Sequence, residues 1–268
     1  MVIVGKNANQ TTIDYGERGT VVIVADGDAL AATSAETLAS VVAEAASEQR
    51  DAIVALSGGS TPKKMGTLLS HVDLANRIHW DRLQAFWGDE RWVPLADSES
   101  NAGEALRGFL EKVQIPAENL HPYETDAGTA PAGVADRYER LIREVTGVAD
   151  ETPRFDLIFL GMGDDGHTLS LFPGTSAIHE EQLLVTVNHV PKLDTIRLTF
   201  TPQLANAAKS IVFLVGGATK ADMLHQVLDG KIDVDVTPSQ IIHPTDGSLV
   251  WLVDEAAAAK RDREPNNG

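Results

Sequence analysis

Two carboxylates and a histidine lie close together in a glycine-rich segment of this 268-residue chain. Asp164, Asp165 and His167 stand between Gly163 and Thr168. An imidazole near a carboxylate is the simplest pair of side chains that can act as a general base near neutral pH. The segment therefore predicts acid–base chemistry centred on His167.

A mostly apolar run, Phe155–Leu160, precedes this segment and indicates a buried strand that ends in a turn. An open α/β sheet binds its ligands just beyond the carboxyl ends of its strands. The spacing Gly161-x-Gly163-x-x-Gly166 also matches the dinucleotide-binding fingerprint. However, two aspartates inside the turn would repel a pyrophosphate, and Pro173 follows too soon for a full crossover helix. We therefore expect no nicotinamide or flavin site here.

Three other glycine-containing turns follow predicted buried strands. The turns are Ser57–Thr61, Gly88–Arg91 and Gly216–Lys220, and the strands before them are Ala52–Leu56, Leu83–Trp87 and Ser210–Val215. All strand-to-helix turns of a parallel sheet lie on one edge. We therefore expect these turns to form one site with the histidine turn, Gly163–Thr168.

The turn Ser57–Thr61, called here the phosphate loop, precedes a helix that we expect to begin near Pro62. Glycine lets backbone N–H groups approach a ligand closely, and a helix N-terminus adds positive potential. The loop lacks the Lys-Ser/Thr pair of a P-loop. It predicts a phosphate site, or alternatively an ordinary turn in which Ser60 or Thr61 caps the helix. The candidate ligands are Ser57, Gly58, Gly59, Ser60 and Thr61.

Three cationic residues are candidate ligands for an anion near these turns. Lys220 opens a predicted helix and suits a phosphate, although a solvated surface lysine is the alternative. Arg91 follows Asp89, a candidate substrate ligand, at a strand end. Arg91 can clamp a phosphate or stabilise an oxyanion, unless it forms a structural ion pair. Arg197 lies in the predicted strand Thr195–Phe200 and has the weaker sequence argument.

Predicted strands alternate with predicted helices along the chain, and most of the strands are continuous apolar runs. This pattern predicts the α/β class, with an open, mostly parallel Rossmann-like sheet and helices on both faces. We expect a single domain over residues 1–268, because no repeat or low-complexity linker divides the chain. The polar tail from about residue 260 is expected to fray.

The composition limits the partners of the protein. Its net charge of −17 and pI of about 4.7 argue against nucleic acid and membranes. The sequence shows no signal-peptide pattern and no apolar run as long as a membrane span. It has no cysteine, which fits a reducing compartment. We therefore expect a cytoplasmic protein whose partners are neither nucleic acid nor membranes.

Neither a catalytic metal nor an organic cofactor is expected. No second histidine follows His167 at a spacing of four residues, and no carboxylate cluster completes a metal site. No serine lies in a Gly-x-Ser-x-Gly elbow, which argues against a Ser-His-Asp hydrolase.

Several longer motifs resemble the lactonases of the glucosamine-6-phosphate isomerase/6-phosphogluconolactonase family. They are Ser57–Pro62, Trp87–Pro94 with Ser100-Asn101, Gly161–Gly174 and Gly216–Ala221, in matching order across nearly the whole chain. The resemblance implies a sugar-phosphate isomerase/deaminase-like fold. It also implies hydrolysis of 6-phospho-D-glucono-1,5-lactone to 6-phospho-D-gluconate in the oxidative pentose phosphate pathway, without a metal or organic cofactor.

The glucosamine-6-phosphate deaminase/isomerase branch is the nearest alternative, because it shares a Gly-x-Gly-x-Asp-Gly-His turn. That branch typically has Tyr at the position of Arg91, and Asn-Glu-Pro where this chain has Leu171-Phe172-Pro173. A non-catalytic sugar-phosphate-binding protein is a third alternative. Leu169 departs from the common lactonase pattern, in which a small residue is frequent.

We expect His167 to be the general base, as the resemblance also implies, and Asp165 to orient its imidazole, as a carboxylate partner does in hydrolase triads. Asp164 is the less favoured partner, because the turn can point it outward. Arg91 is expected to face either the oxyanion or the phosphate, and Lys220, Arg197 and the phosphate loop to hold the phosphate. We expect a monomer or a weak homodimer.

Overall fold

The structure is a computed structural model that describes residues 10–126 and 128–261. Most of the tail that we expected to fray lies outside these residues. The described strands are β1 (Thr11–Asp14), β2 (Thr20–Val24), β3 (Ala52–Leu56), β4 (Leu83–Trp87), β5 (Asp89–Arg91), β6 (Leu120–His121), β7 (Leu157–Leu160), β8 (Val185–Val190), β9 (Thr195–Phe200), β10 (Ser210–Val215) and β11 (Ser248–Asp254). The α-helices are α1 (Gly27–Ser47), α2 (Ser60–Leu69), α3 (Val72–Ala75), α4 (Asn101–Gly108), α5 (Pro131–Thr146), α6 (Pro202–Asn206) and α7 (Ala221–Asp229).

Eight of these strands form one sheet in the order β1-β2-β11-β10-β7-β3-β4-β6. Neighbouring strands of this sheet run parallel, except that β1 and β2 are antiparallel. Every residue of β7 and β10 is buried, so both faces of the sheet are covered at its centre. The predicted α/β class with a mostly parallel sheet is confirmed.

A second, antiparallel sheet has the strand order β5-β9-β8 and was not foreseen. The expectation that Gly88–Arg91 is only a turn is wrong, because residues 89–91 form β5. This strand of three residues has little intrinsic preference for extended structure, since two of its residues are acidic. It forms because it pairs with β9, in a register that places Arg91 opposite Arg197.

The helix after the phosphate loop begins two residues earlier than predicted, at Ser60. Gly59 occupies the N-cap position, and among the described residues no side chain caps the helix. The alternative in which Ser60 or Thr61 serves as the cap is therefore not observed. Within residues 10–126 and 128–261, no helix combines the length and the apolar character that crossing a membrane requires.

Candidate active site

The four polar turns predicted from the sequence leave adjacent strands of the large sheet. Strands β10, β7, β3 and β4 are consecutive neighbours and run parallel. Their carboxyl ends therefore meet at one edge. The expectation that these turns share an edge is confirmed, and the reason is the strand order, which the sequence did not reveal.

A cavity of about 250 Å³ lies at this edge and is called here the site cavity. It is lined by Ser57, Gly58, Gly59, Asp89, Arg91, Asn101, Gly161, Met162, Gly163, His167, Leu169 and Lys220. Most of the predicted site residues are thus brought together. The exceptions are Ser60 and Thr61, in the first turn of α2, together with Asp165 behind the histidine and Arg197 on β9. The chemical role of each residue stays a prediction.

The imidazole of His167 is held by the carboxylate that the sequence favoured. Nδ1 of His167 lies 2.5 Å from Oδ1 of Asp165. This hydrogen bond is the main cause that holds the pKa of Asp165 well below its usual range, with a smaller contribution from Lys192, whose Nζ lies 3.5 Å from Oδ2. An ionised carboxylate only accepts hydrogen bonds, so Nδ1 carries the proton. When the imidazole is neutral, its other ring nitrogen, Nε2, has a lone pair that can accept a proton.

The backbone of the histidine turn is closed by short contacts. The N–H of Gly163 donates to the carbonyl of His167 at 2.8 Å. Gly166 has a φ of +76°, a conformation that glycine adopts without strain, and its carbonyl accepts from Ser239 N–H at 2.8 Å. The ring of Phe172 stacks on the imidazole with 4.1 Å between centroids. These contacts fix the position of the imidazole at the cavity wall.

Lys220 reaches the histidine turn as well as the cavity. Its Nζ lies 2.6 Å from Oδ1 of Asp164. The carboxylate side chain is 77% exposed, whereas the lysine side chain is 23% exposed. Because the carboxylate lies largely in solvent, water screens this pair, and the attraction between its two charges is weak. A bound anion can replace Asp164 as the partner of Lys220.

Arg91 and Arg197 bring two positive charges together across the second sheet. Arg91 donates through Nη1 to the carbonyl of Glu99, so the expected alternative of an ion pair with a neighbouring acid is not what holds it. Nε of Arg197 is buried and has no hydrogen-bond partner within the described ranges. Burial, followed by the charge of Arg91, lowers the pKa of Arg197. Two cations that face each other favour an anion between or beside them.

Sequence reasoning did not assign Asn101 or Ser170 to the site. Oγ of Ser170 donates to Oδ2 of Asp89 at 2.6 Å, and Nδ2 of Asn101 donates to the Asp89 carbonyl at 3.0 Å. Leu169, which lines the cavity, has a φ of +53°, a strained conformation for a leucine. The only sequence signal for these residues was their place inside the longer motifs.

The chemistry of the lining, and not cavity size, identifies the site. A larger cavity of about 640 Å³ includes Arg154 and Asp246 in its wall and none of the predicted site residues. Its arginine is already bonded to that aspartate, at 2.6 Å. In the part of the chain that the structure describes, no three histidine or carboxylate side chains form a group that could hold a metal ion.

Comparisons with known proteins agree with the geometry of the site. A family model described as glucosamine-6-phosphate isomerases/6-phosphogluconolactonase matches residues 25–251. A 6-phosphogluconolactonase of Nostoc sp. is 40% identical over 242 residues, which are 90% of this chain and 98% of the relative. The structure of 6-phosphogluconolactonase from Trypanosoma cruzi is 25% identical, covers 94% of this chain and 99% of its own, and has a TM-score of 0.78.

A monomeric glucosamine-6-phosphate deaminase has a TM-score of 0.74 at 22% identity, over 90% of this chain and 99% of its own, which is a likeness of fold alone. The family model and the Nostoc relative both span most of the chain, including all four turns of the site edge. This chain therefore belongs to the glucosamine-6-phosphate isomerase/6-phosphogluconolactonase family.

Proposed function

We propose that this protein hydrolyses 6-phospho-D-glucono-1,5-lactone to 6-phospho-D-gluconate, a step of the oxidative pentose phosphate pathway. The observation that carries the proposal is the His167–Asp165 pair, because His167 shares the site cavity with the phosphate loop and with Lys220. A general base and an anion site in one cavity suit a substrate that has both an ester carbonyl and a phosphate.

The hydrolysis requires two proton transfers, one from water to His167 and one from His167 to the leaving ring oxygen. Nε2 of His167 takes a proton from a water molecule as that water attacks the lactone carbon C1. Asp165 stabilises the imidazolium that forms, and Arg91 stabilises the tetrahedral oxyanion. When the bond from C1 to the ring oxygen breaks, His167 returns the proton to that oxygen, which becomes the hydroxyl group on C5. The water oxygen stays in the new carboxylic acid, which ionises.

The phosphate is held at the other end of the cavity. The phosphate loop leads into α2, whose first turn contains no acidic residue to oppose an anion. Backbone N–H groups of this loop donate to the phosphate. Lys220 leaves its ion pair with Asp164 and binds the phosphate instead. Arg197, whose Nε has no protein partner among the described residues, is the further candidate ligand.

Phe172 supports the lactonase over the deaminase alternative. The deaminase branch has an acid-containing sequence after its histidine turn, and that acid assists ring opening. Here the ring of Phe172 stacks on His167 at 4.1 Å between centroids. An apolar ring cannot transfer a proton, so this position lacks the acid that assists ring opening in the deaminase branch.

Freshly generated 6-phosphogluconolactone tests the proposal, with the release of acid followed above the spontaneous rate. We expect rapid release with the wild-type protein and near-spontaneous release with His167→Ala. Ammonia release from glucosamine 6-phosphate would support the deaminase instead. Acid release no faster than the spontaneous rate with wild-type protein would contradict the proposal. Cytoplasmic location, a single domain and a monomeric or weakly dimeric state belong to the same proposal.

A further inference from the structure

Asn101, the first residue of α4, lies between two of the loops that form the site cavity. Its side chain is buried, and Nδ2 donates to the carbonyl of Asp89 at 3.0 Å and lies 3.5 Å from Oδ1 of the same residue. On the other side, Oδ1 of Asn101 lies 1.8 Å from the point that a Cβ atom on Gly58 would occupy. One side chain therefore touches both the phosphate loop and the strand end that carries Asp89.

Gly58 is required for space and not for backbone conformation. Its φ is not positive, whereas that of the next residue, Gly59, is +107°. The φ of Gly58 therefore does not require glycine, but the Cβ of any other residue would collide with the amide of Asn101. The close approach of the phosphate loop to Asn101 thus depends on both residues: Gly58 leaves the space, and the amide of Asn101 fills it.

Asn101 is itself held in place by a buried carboxylate. Glu90 is 1% exposed, and its Oε1 accepts from the N–H of Asn101 at 2.8 Å. Its Oε2 accepts from the N–H of Ala102 and from Oγ of Ser100, each at 2.9 Å. A buried carboxylate is tolerated only when it is hydrogen-bonded in this way. These hydrogen bonds to Glu90 attach the start of α4 to β5. They fix the backbone of Asn101, and with it the place of its side chain between the two loops.

Asp89 is oriented from a second direction as well. Its Oδ2 accepts from Oγ of Ser170 at 2.6 Å, while Asn101 holds the backbone carbonyl. Asp89, which lines the site cavity, thus has a set position relative to the phosphate loop.

We propose that Asn101 is a positioning residue that sets the spacing between the phosphate loop and Asp89, so that one ligand is held by its phosphate and its sugar hydroxyls at once. The choice of ligand rests on the proposed function. The spacing affects only a ligand that reaches both ends of the cavity. Inorganic phosphate reaches the loop alone, so its affinity does not depend on the spacing.

The affinities of 6-phosphogluconate and inorganic phosphate, measured by calorimetry, test this role. Asn101→Ala should weaken 6-phosphogluconate binding about tenfold and leave phosphate binding within about twofold of wild type. Asn119→Ala is the matched control, because Asn119 is also buried and donates through Nδ2 to a carbonyl, that of Asp81 at 3.2 Å. It should change neither affinity. Equal losses for both ligands, or equal losses in both variants, would overturn the proposal.

A double-mutant cycle between positions 58 and 101 tests the contact directly. Gly58→Ala should displace Asn101, lower the Tm and weaken 6-phosphogluconate binding at least tenfold. Combined with Asn101→Ala, which removes the colliding amide, it should cost little more than Asn101→Ala alone. Additive losses of affinity and of Tm would overturn the proposal.

The two proposals fail in different ways. The Tm part of the cycle uses no ligand, so it reports the contact between residues 58 and 101 whatever the protein binds. Wild-type protein that binds inorganic phosphate but not 6-phosphogluconate contradicts the proposed function. Wild-type protein that binds 6-phosphogluconate while the two substitutions act additively contradicts the positioning role alone.

Discussion

Nδ1 of His167 lies 2.1 Å from the point that a Cβ atom on Gly163 would occupy. The backbone φ of Gly163 is not positive, so glycine is needed there to make room for the imidazole. We predict that Gly163→Ala displaces His167 and lowers kcat by ~10²- to 10⁴-fold, the usual contribution of a general base.

Gly161→Ala is the control for that substitution, since the nearest atom to its Cβ would be Oγ of Ser57 at an ordinary 3.8 Å. Steady-state kinetics of the two variants should differ by at least about tenfold in kcat. Similar values for both would contradict the steric explanation.

The Asp165 carboxylate stays ionised over the whole range of enzyme assays, because its bond to His167 holds its pKa well below the usual range. Asp165→Asn removes that charge and should lower kcat by ~10²- to 10⁴-fold, as loss of the orienting carboxylate does in other hydrolases. Asp235→Asn is a matched control, because Asp235 lies 2.7 Å from an exposed imidazole, that of His179, in a pair outside the cavity lining. The kcat of the Asp235→Asn variant should equal that of wild type. Near-normal turnover in Asp165→Asn would remove Asp165 from the mechanism.

Lys220→Ala should act mainly on KM. Loss of a charge-assisted hydrogen bond to phosphate costs about 1.5–3 kcal/mol, which corresponds to a rise in KM of roughly 10- to 150-fold. Lys260→Ala is the control, because Lys260 forms a comparable ion pair with Asp222, at 2.5 Å, and neither residue lines the site cavity. An unchanged KM in Lys220→Ala would place the phosphate elsewhere. Asp164→Asn, which frees Lys220 from its partner, should not raise KM.

His121 should make stability depend on pH. Burial lowers its pKa to about 4, so the folded protein keeps the imidazole neutral. As pH falls from about 6.5 towards 4, the unfolded chain binds a proton that the folded chain does not, and folding free energy is lost.

Between pH 7 and pH 5 this loss is on the order of 2 kcal/mol. Urea denaturation of wild-type protein and His121→Gln at the two pH values measures it. The wild type should lose more stability than the variant, because the variant lacks the imidazole and shares the other titrating groups. Equal losses would show that His121 is not the group responsible.

Local patterns were sufficient for the central strands. The predicted bounds of β3, β4, β9 and β10 agree with the structure residue for residue. Three of these strands are mostly apolar runs followed directly by a glycine or serine turn. The change from a buried strand to a turn is therefore marked in the sequence at a single residue. The helix bounds shifted by a few residues, as at α2, because a helix start depends on cap geometry that the sequence only suggests.

Short strands could not be predicted from the sequence. Residues 11–14, 89–91 and 120–121 form strands of four residues or fewer at sheet edges or in the second sheet. Such segments carry too little periodicity to be distinguished from loops. They become strands because a partner strand supplies hydrogen bonds. That partner is distant in the chain for residues 89–91 and 120–121, whereas residues 11–14 pair with the next strand, β2.

The sequence by itself determined the chemical groups of this protein: a histidine with a carboxylate in a glycine turn, a glycine-rich loop before a helix, and the cations near them. It also determined the fold class, because burial and turn formation are local properties of each segment. Only the tertiary structure decided that strands β10, β7, β3 and β4 are neighbours, and so which turns meet. Only the tertiary structure paired Arg91 with Arg197 and placed Asn101 between Gly58 and Asp89, since contacts between distant segments follow from strand order and register.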